Sequence, residues 1–130
     1  SHDTNMKKHI LIVDDEADIR EMLGLYLTRS GYEVTVVASA AEALRSAQEK
    51  QTDLIITDLQ LEESDGLDLI AQLKVVRPNA PVILLTGMLF DAEVVHGMLS
   101  ANVACYLAKT SSLAQIMETV RSLLDKPAAS

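Results

Sequence analysis

The chain has 130 residues, 48% of them hydrophobic and 23% charged, which suffices for one domain with a real core and falls short of two ordinary ones. A formal net charge of -8 speaks against a nucleic-acid surface, because phosphate backbones attract clustered Lys and Arg. The single cysteine excludes an internal disulfide and a cysteine-based zinc site, and no apolar run has membrane-spanning length or the form of a secretory h-region. These features predict a soluble chain without membrane insertion, in a reducing compartment. Ser1 to Asn5 reads as a cloning remnant, with Met6 the natural start. Residues 126–130 read as a tail or the start of a linker, which leaves 6–125 as the domain.

Ile10-Leu11-Ile12-Val13 is a continuous apolar run closed by Asp14-Asp15, the pattern of a buried strand that ends in carboxylates. Ile19, Met22, Leu23, Tyr26 and Leu27 then fall at helical spacing. Glu16 and Asp18 lie in the first turn, where the helix dipole favours acids, and Gly31 supplies a C-terminal stop. Tyr32 to Val37 alternates and is rich in β-branched residues, a second strand. Ser39 and Glu42 have the spacing of a capping box for a helix through Ala43, Leu44 and Ala47 toward Lys50. Asp53 to Asp58 repeats the opening pattern, with Leu54, Ile55 and Ile56 running into Thr57 and the carboxylate of Asp58. Taken alone, that acid is either a mere strand terminus or a rigidly held group at a loop, close to solvent. A polar segment, Leu59 to Asp65, follows and is closed by Gly66.

Leu69, Ile70, Leu73 and Val76 predict a third helix that ends before Pro78. Val82 to Thr86 is a fourth apolar strand, ending in a hydroxyl. Asp91 to Leu99 predicts a short helix weakened by Gly97. Val103 to Leu107 is a fifth strand, followed by Ala108 and Lys109. Leu113, Ile116, Met117, Val120 and Leu124 make the clearest amphipathic helix, and any of Thr110, Ser111 and Ser112 can cap it.

Strands and helices thus alternate five times. Strands one, three, four and five are apolar throughout, as expected when helices cover both sheet faces. Right-handed crossovers leave few topologies, and the expected fold is an α/β, flavodoxin-like (βα)5 doubly wound parallel sheet with strand order 2-1-3-4-5. Its switch point lies between strands one and three. Asp14, Asp15 and Asp58 would meet there, joined by Thr86 and Lys109 from the ends of strands four and five. At ~4 Å and an effective dielectric near 20, each carboxylate pair costs on the order of 4 kcal/mol. Such groups either protonate or bind a cation, and hard oxygen ligands suit Mg²⁺. A metal, a lysine and a hydroxyl converging on Asp58 suit phosphoryl transfer, and a carboxylate can itself be the nucleophile.

Asp14-Asp15, Asp58, Asp65-Gly66, Thr86, and Tyr106 with Lys109 together resemble the receiver domain of two-component response regulators, from about Met6 to Leu124. The resemblance implies that Asp58 takes a phosphoryl group from the phosphohistidine of a sensor histidine kinase or a histidine phosphotransfer protein. It implies Mg²⁺, or Mn²⁺ in its place, held by Asp15 directly, by Asp14 mainly through water, by Asp58, and by the backbone carbonyl of Gln60. Lys109 would pair with Asp58 and then with the phosphoryl group, toward which Thr86 would turn its hydroxyl. Tyr106 would rotate inward and reshape the face made by the fourth helix, fifth strand and fifth helix. Homodimerisation through that face, cytoplasmic placement and the absence of direct nucleic-acid contact by this domain are further expectations.

The chain departs from the family pattern at three places. Thr110 replaces the usual proline after the lysine. A cis bond before a non-proline residue costs ~3 kcal/mol, so a trans bond is expected there. Leu61-Glu62 replaces the frequent Met-Pro, and Met88 stands where an apolar side chain would shield the acyl phosphate from water. Gln60 and Met88 are therefore the expected tuners of dephosphorylation rate. Gln60 also opposes an aspartyl-nucleophile phosphatase, which would want a second acid two residues after the first. Asp14-Asp15 opposes a flavodoxin-like cofactor binder, since it would repel a phosphate. A degenerate receiver acting only as an interaction module is the other alternative, and the complete acidic set argues against it. Tyr106 also admits a plain reading as a half-buried strand aromatic, Cys105 reads as a small core residue, and His2, His9 and His96 have no metal-like spacing.

Overall fold

The computed structural model describes residues 6–61, 64–87, 93, 97 and 102–125. In chain order the elements are β1 (His9–Val13), α1 (Ala17–Arg29), β2 (Glu33–Val37), α2 (Ala40–Glu49), β3 (Leu54–Thr57), β4 (Gln60–Leu61), β5 (Ser64–Asp65), α3 (Gly66–Val76), β6 (Val82–Thr86), β7 (Cys105–Ala108) and α4 (Leu113–Leu124). Five strands form one parallel sheet in the order β2-β1-β3-β6-β7. That is the expected 2-1-3-4-5 order once the two-residue strands β4 and β5 are set aside. Of the expected helix at Asp91 to Leu99 only Glu93 and Gly97 are described, both helical.

The apolar strands divide their side chains between two layers because successive residues of a strand point to opposite faces. Leu11, Val13, Ile55, Val82 and Leu84 pack with Ala43 and Ala47 of α2 and Leu69, Ile70 and Leu73 of α3. Ile10, Ile12, Leu54, Ile56, Ile83 and Leu85 pack with Leu23 and Leu27 of α1 and Ile116, Met117 and Val120 of α4. One run of sequence therefore fills two cores, which is why β1, β3 and β6 show no polar alternation.

Local signals set the element ends. Ser39 Oγ accepts from Glu42 N–H at 3.3 Å, and the Glu42 carboxylate reaches back to Ala38 N–H at 3.1 Å, so the capping box is present with its return bond one residue earlier than expected. Gly31 ends α1 at φ +101°, a conformation that strains any side chain. Ser112 caps α4, accepting from Gln115 N–H at 3.1 Å. The fifth main strand starts at Cys105 rather than Val103. Val103 is buried all the same, but register with β6 begins only at the Ile83–Cys105 pair. At the end of α2, Arg77 donates to the carbonyls of Ala47 at 2.7 Å and Lys50 at 2.9 Å, satisfying acceptors that a helix end leaves open. All peptide bonds among the described residues are trans, Lys109–Thr110 included.

Tyr32 gives this core an alkaline limit. Its ring is buried against the α1–α4 layer, and its hydroxyl donates to Asp125 Oδ2 at 3.3 Å. Burial, then the Asp125 charge and that hydrogen bond, raise the phenol above its ordinary value. A raised folded pKa of a group that is neutral when protonated contributes stability below the unfolded value of about 10; that contribution is lost as pH rises through the folded value. Tyr32→Phe is expected to be less stable by about 1 kcal/mol at pH 7 and to lose less stability than the parent between pH 9 and about 11, as urea unfolding followed by circular dichroism will show.

Candidate functional site

The site lies at the C-terminal edge of the sheet, where β1 and β3 are neighbours and their connections diverge. Two backbone bonds fix the acids there. Asp14 N–H, one residue past β1, donates to Val37 O at 3.1 Å, and Asp58 N–H, one residue past β3, donates to Val13 O at 3.2 Å. Both side chains are thereby held at the sheet's end, and both residues are buried, at 2% and 3% exposure.

Each buried carboxylate has defined partners. Asp58 Oδ1 accepts from Leu59 N–H at 2.6 Å and Gln60 N–H at 3.2 Å, while Asp58 Oδ2 lies 2.7 Å from Lys109 Nζ. Asp14 Oδ1 accepts from Glu16 N–H at 2.9 Å, and its Oδ2 lies 3.0 Å from the same Lys109 Nζ. Arg20 donates to the Asp14 carbonyl at 2.8 Å. Burial pushes the Asp14 carboxyl above its ordinary value; the Glu16 N–H and Lys109 oppose this rise and the Asp58 charge adds to it. Burial works to lower the Lys109 ammonium, but hydrogen bonds to Asp58, Glu16 and Asp14 outweigh it and leave the lysine raised, hence charged.

Thr86 ends β6 and is fully buried. Its carbonyl accepts from Lys109 N–H at 2.9 Å, so the ends of β6 and β7 are tied at the site. Gln60 sits beside Asp58 through its backbone and begins the short β4–β5 ladder. That ladder was not legible in the sequence, where Leu59 to Asp65 read as an irregular polar segment. Tyr106 lies on β7, half-buried against the α2–α3 layer. Met88 and Glu62 lie outside the described residues.

The acidic group is larger than the sequence suggested. Asp14, Asp15, Glu16 and Asp58 each place a carboxylate oxygen within 4.8 Å of the others. Glu16, read from sequence as a helix-dipole acid, also pairs with Lys109. Its position at the end of an acidic triplet was the available signal. Four carboxylates stand against one ammonium, and all four are hard oxygen donors. That set fits a hard divalent cation.

Gly66 shows why the loop after Asp58 needs its glycine. A Cβ there would lie 2.2 Å from Leu59 O and 2.7 Å from Leu59 Cα, deep inside van der Waals contact. The first residue of α3 thus touches the backbone that supplies Asp58 with its N–H donors. Asp65 caps the helix by accepting from Leu67 N–H at 3.0 Å.

A doubly wound α/β domain with buried, lysine-bridged aspartates at its switch point defines a class of phosphoryl-handling folds. The family model for the response regulator receiver domain matches residues 10–121, and the chain belongs to that family, as its residues had suggested. It is 34% identical over 119 residues to the alkaline phosphatase synthesis transcriptional regulatory protein PhoP of Bacillus subtilis, covering 92% of this chain and 49% of that protein. Among solved structures, a response regulator receiver domain protein of Methanospirillum hungatei superimposes with a TM-score of 0.86 at 29% identity, covering 93% of this chain and 96% of that one. The response regulator TrrA of Thermotoga maritima, solved in complex with Mg(2+)-BeF, gives 0.78 at 31% identity, covering 90% and 99%. The chain spans about half the length of curated relatives such as PhoP, and 18% of the transcriptional regulatory protein GlrR of Escherichia coli. No helix among the described residues is long and apolar enough to cross a membrane.

Two substitutions test this geometry. Gly66→Ala is expected to cost about 2 kcal/mol or more in urea unfolding and to shift the amide resonances of Leu59 and Gln60. Lys109→Met leaves Asp14 and Asp58 without their shared cation and is expected to destabilise the metal-free protein by about 3 kcal/mol, measured in chelator. Equal stability of Lys109→Met and the parent would show that the ammonium does not hold the two acids together.

Proposed function

We propose that this domain accepts a phosphoryl group on Asp58 from the phosphohistidine of a sensor histidine kinase or a histidine phosphotransfer protein. The observation that carries the reading is the setting of Asp58. It is buried at the end of β3, with one oxygen on two backbone N–H groups and the other 2.7 Å from Lys109, beside three further carboxylates. In the transfer, an Asp58 oxygen forms a bond to phosphorus as the phosphorus–nitrogen bond of the donor breaks, and the imidazole leaves with that electron pair. Lys109 neutralises charge on the transferred group, as positioning and electrostatics require in this chemistry. Asp14, Asp15, Asp58 and the Gln60 carbonyl would hold Mg²⁺, or Mn²⁺. When bound, the ion supplies charge neutralisation at the phosphoryl oxygens.

Thr86 directs its hydroxyl to the phosphoryl group, and Tyr106 responds on β7. Their placement on neighbouring, backbone-tied strands, Thr86 at the end of β6 and Tyr106 two residues before the end of β7, supports a shared response. The domain acts as a phosphoryl acceptor with slow self-hydrolysis rather than as a dedicated enzyme. The domain limits of 6–125, homodimerisation through the face of β7, α4 and the helix expected over Asp91 to Leu99, and cytoplasmic placement beside the kinase belong to the same reading. The net charge of -8 supports the expectation that this domain does not itself contact nucleic acid.

Incubation with acetyl phosphate and Mg²⁺, followed by intact-mass measurement, tests the reading. The parent is expected to gain the mass of one phosphoryl group, and Asp58→Asn to gain none. An equal adduct on both proteins, or none on the parent, would overturn it. Removal of Mg²⁺ with a chelator is expected to lower the rate of adduct formation by at least about tenfold.

A further inference from the structure

We infer that Arg20 is a positioning residue: by holding the Asp14 carbonyl it sets the direction in which Asp15 offers its carboxylate to a divalent cation. This inference rests on the Mg²⁺ site of the proposed function. Arg20 lies in the first turn of α1, and its Nη1 donates to Asp14 O at 2.8 Å. Among the described residues it makes no ion pair, although four carboxylates cluster beside the carbonyl it holds. The guanidinium thus serves the main chain of the acidic pair rather than any one acid.

Peptide geometry defines what this bond controls. The Asp14 carbonyl and the Asp15 N–H belong to one rigid plane, and Arg20 pins that plane from the carbonyl side. The next plane, joining Asp15 to Glu16, is pinned by the Glu16 N–H, which donates to Asp14 Oδ1 at 2.9 Å. Asp15 is the joint between the two, so its Cα–Cβ bond keeps a fixed direction while both planes are held. Its carboxylate has no restraint of its own: no hydrogen bond or ion pair holds it among the described residues. Asp14 and Asp58, by contrast, are each held by backbone N–H groups and Lys109. Asp15 nevertheless places an oxygen within 4.8 Å of the other three acids. It is the acid of this site that is placed by main chain alone, and Arg20 holds one of its two planes.

The competing roles of Arg20 differ in the sign of their effect. A guanidinium beside the crevice repels a divalent cation, so its removal would tighten Mg²⁺ binding if charge were all it contributed. A purely structural bond would lower the melting temperature and leave Mg²⁺ affinity alone. Positioning weakens Mg²⁺ binding when the bond is lost and is restored by another long donor at the same place. A residue that orients a metal ligand from behind is commonly worth about tenfold or more in affinity.

Mg²⁺ titrations of the parent, Arg20→Met and Arg20→Lys, followed by amide NMR, test the role. Arg20→Met is expected to bind Mg²⁺ about tenfold more weakly than the parent. Arg20→Lys keeps the charge and a single donor of similar reach, and is expected to stay within about threefold of the parent. With acetyl phosphate as donor, the Mg²⁺ concentration for half-maximal adduct formation is expected to rise in Arg20→Met by the same factor. The rate at saturating Mg²⁺ is expected to remain within about twofold of the parent. Should Arg20→Met not fold, the shorter Arg20→Gln takes its place with the same expectation. Unchanged or tighter Mg²⁺ binding in Arg20→Met, or equal weakening in Arg20→Met and Arg20→Lys, would overturn the role of Arg20 and leave Asp58 as acceptor. A parent that binds Mg²⁺ yet gains no phosphoryl group would overturn the acceptor reading and leave the Mg²⁺ result to decide on Arg20. A parent that binds no Mg²⁺ would overturn the metal site and the role of Arg20 together.

Discussion

Asp14 and Asp58 are brought together by the parallel pairing of β1 with β3, and neither escapes to solvent. At such separations two like charges repel by several kcal/mol even in a well-screened interior. The Lys109 ammonium, within 3.0 Å of both, makes this arrangement tolerable. It arrives from the end of β7, two strand spacings, or about 10 Å, away from β3. A long, unbranched side chain is what can cross the end of β6 and still present a charge. The backbone N–H of the same residue is anchored on Thr86 O, so this crossing has a fixed base. One residue thus neutralises the switch point and ties the far edge of the sheet to it.

A similar economy governs the segment after Asp58. Its first two amides serve the carboxylate, and its first carbonyl passes so close to Gly66 that no side chain fits there. Helix α3 therefore starts in contact with the loop that orients the acceptor. The site is not an attachment to a finished fold. Shifting α3 moves the donors of Asp58, and swelling that contact by one methyl group does the same.

Much of this was legible because the same physics writes both sequence and structure. Apolar runs in β1, β3 and β6 announce burial on two faces, and the structure divides those residues, one by one, between two helical layers. Acids, a hydroxyl and a lysine at strand ends announce a crevice, because the topology leaves them no other place to meet. What escaped notice depends on geometry that residue types do not encode. Ser112 rather than Thr110 or Ser111 caps α4, a choice made by the path of the chain out of β7. The β4–β5 ladder rests on two residue pairs, too few to impress an alternating pattern. Glu16 looked like an ordinary first-turn acid, since only the fold brings Lys109 across to it.

The resting site is a balanced but unsaturated arrangement. Three of the four clustered carboxylates share one ammonium, and the excess negative charge is what gives a divalent cation a reason to bind. The acids differ sharply in solvation. If all were exposed, none would hold the lysine in place. Two deeply buried acids fix the ammonium, and one solvated acid meets it from the solvent side. The gradient of burial across one crevice therefore lets one lysine bridge two buried acids while the site keeps a solvated side.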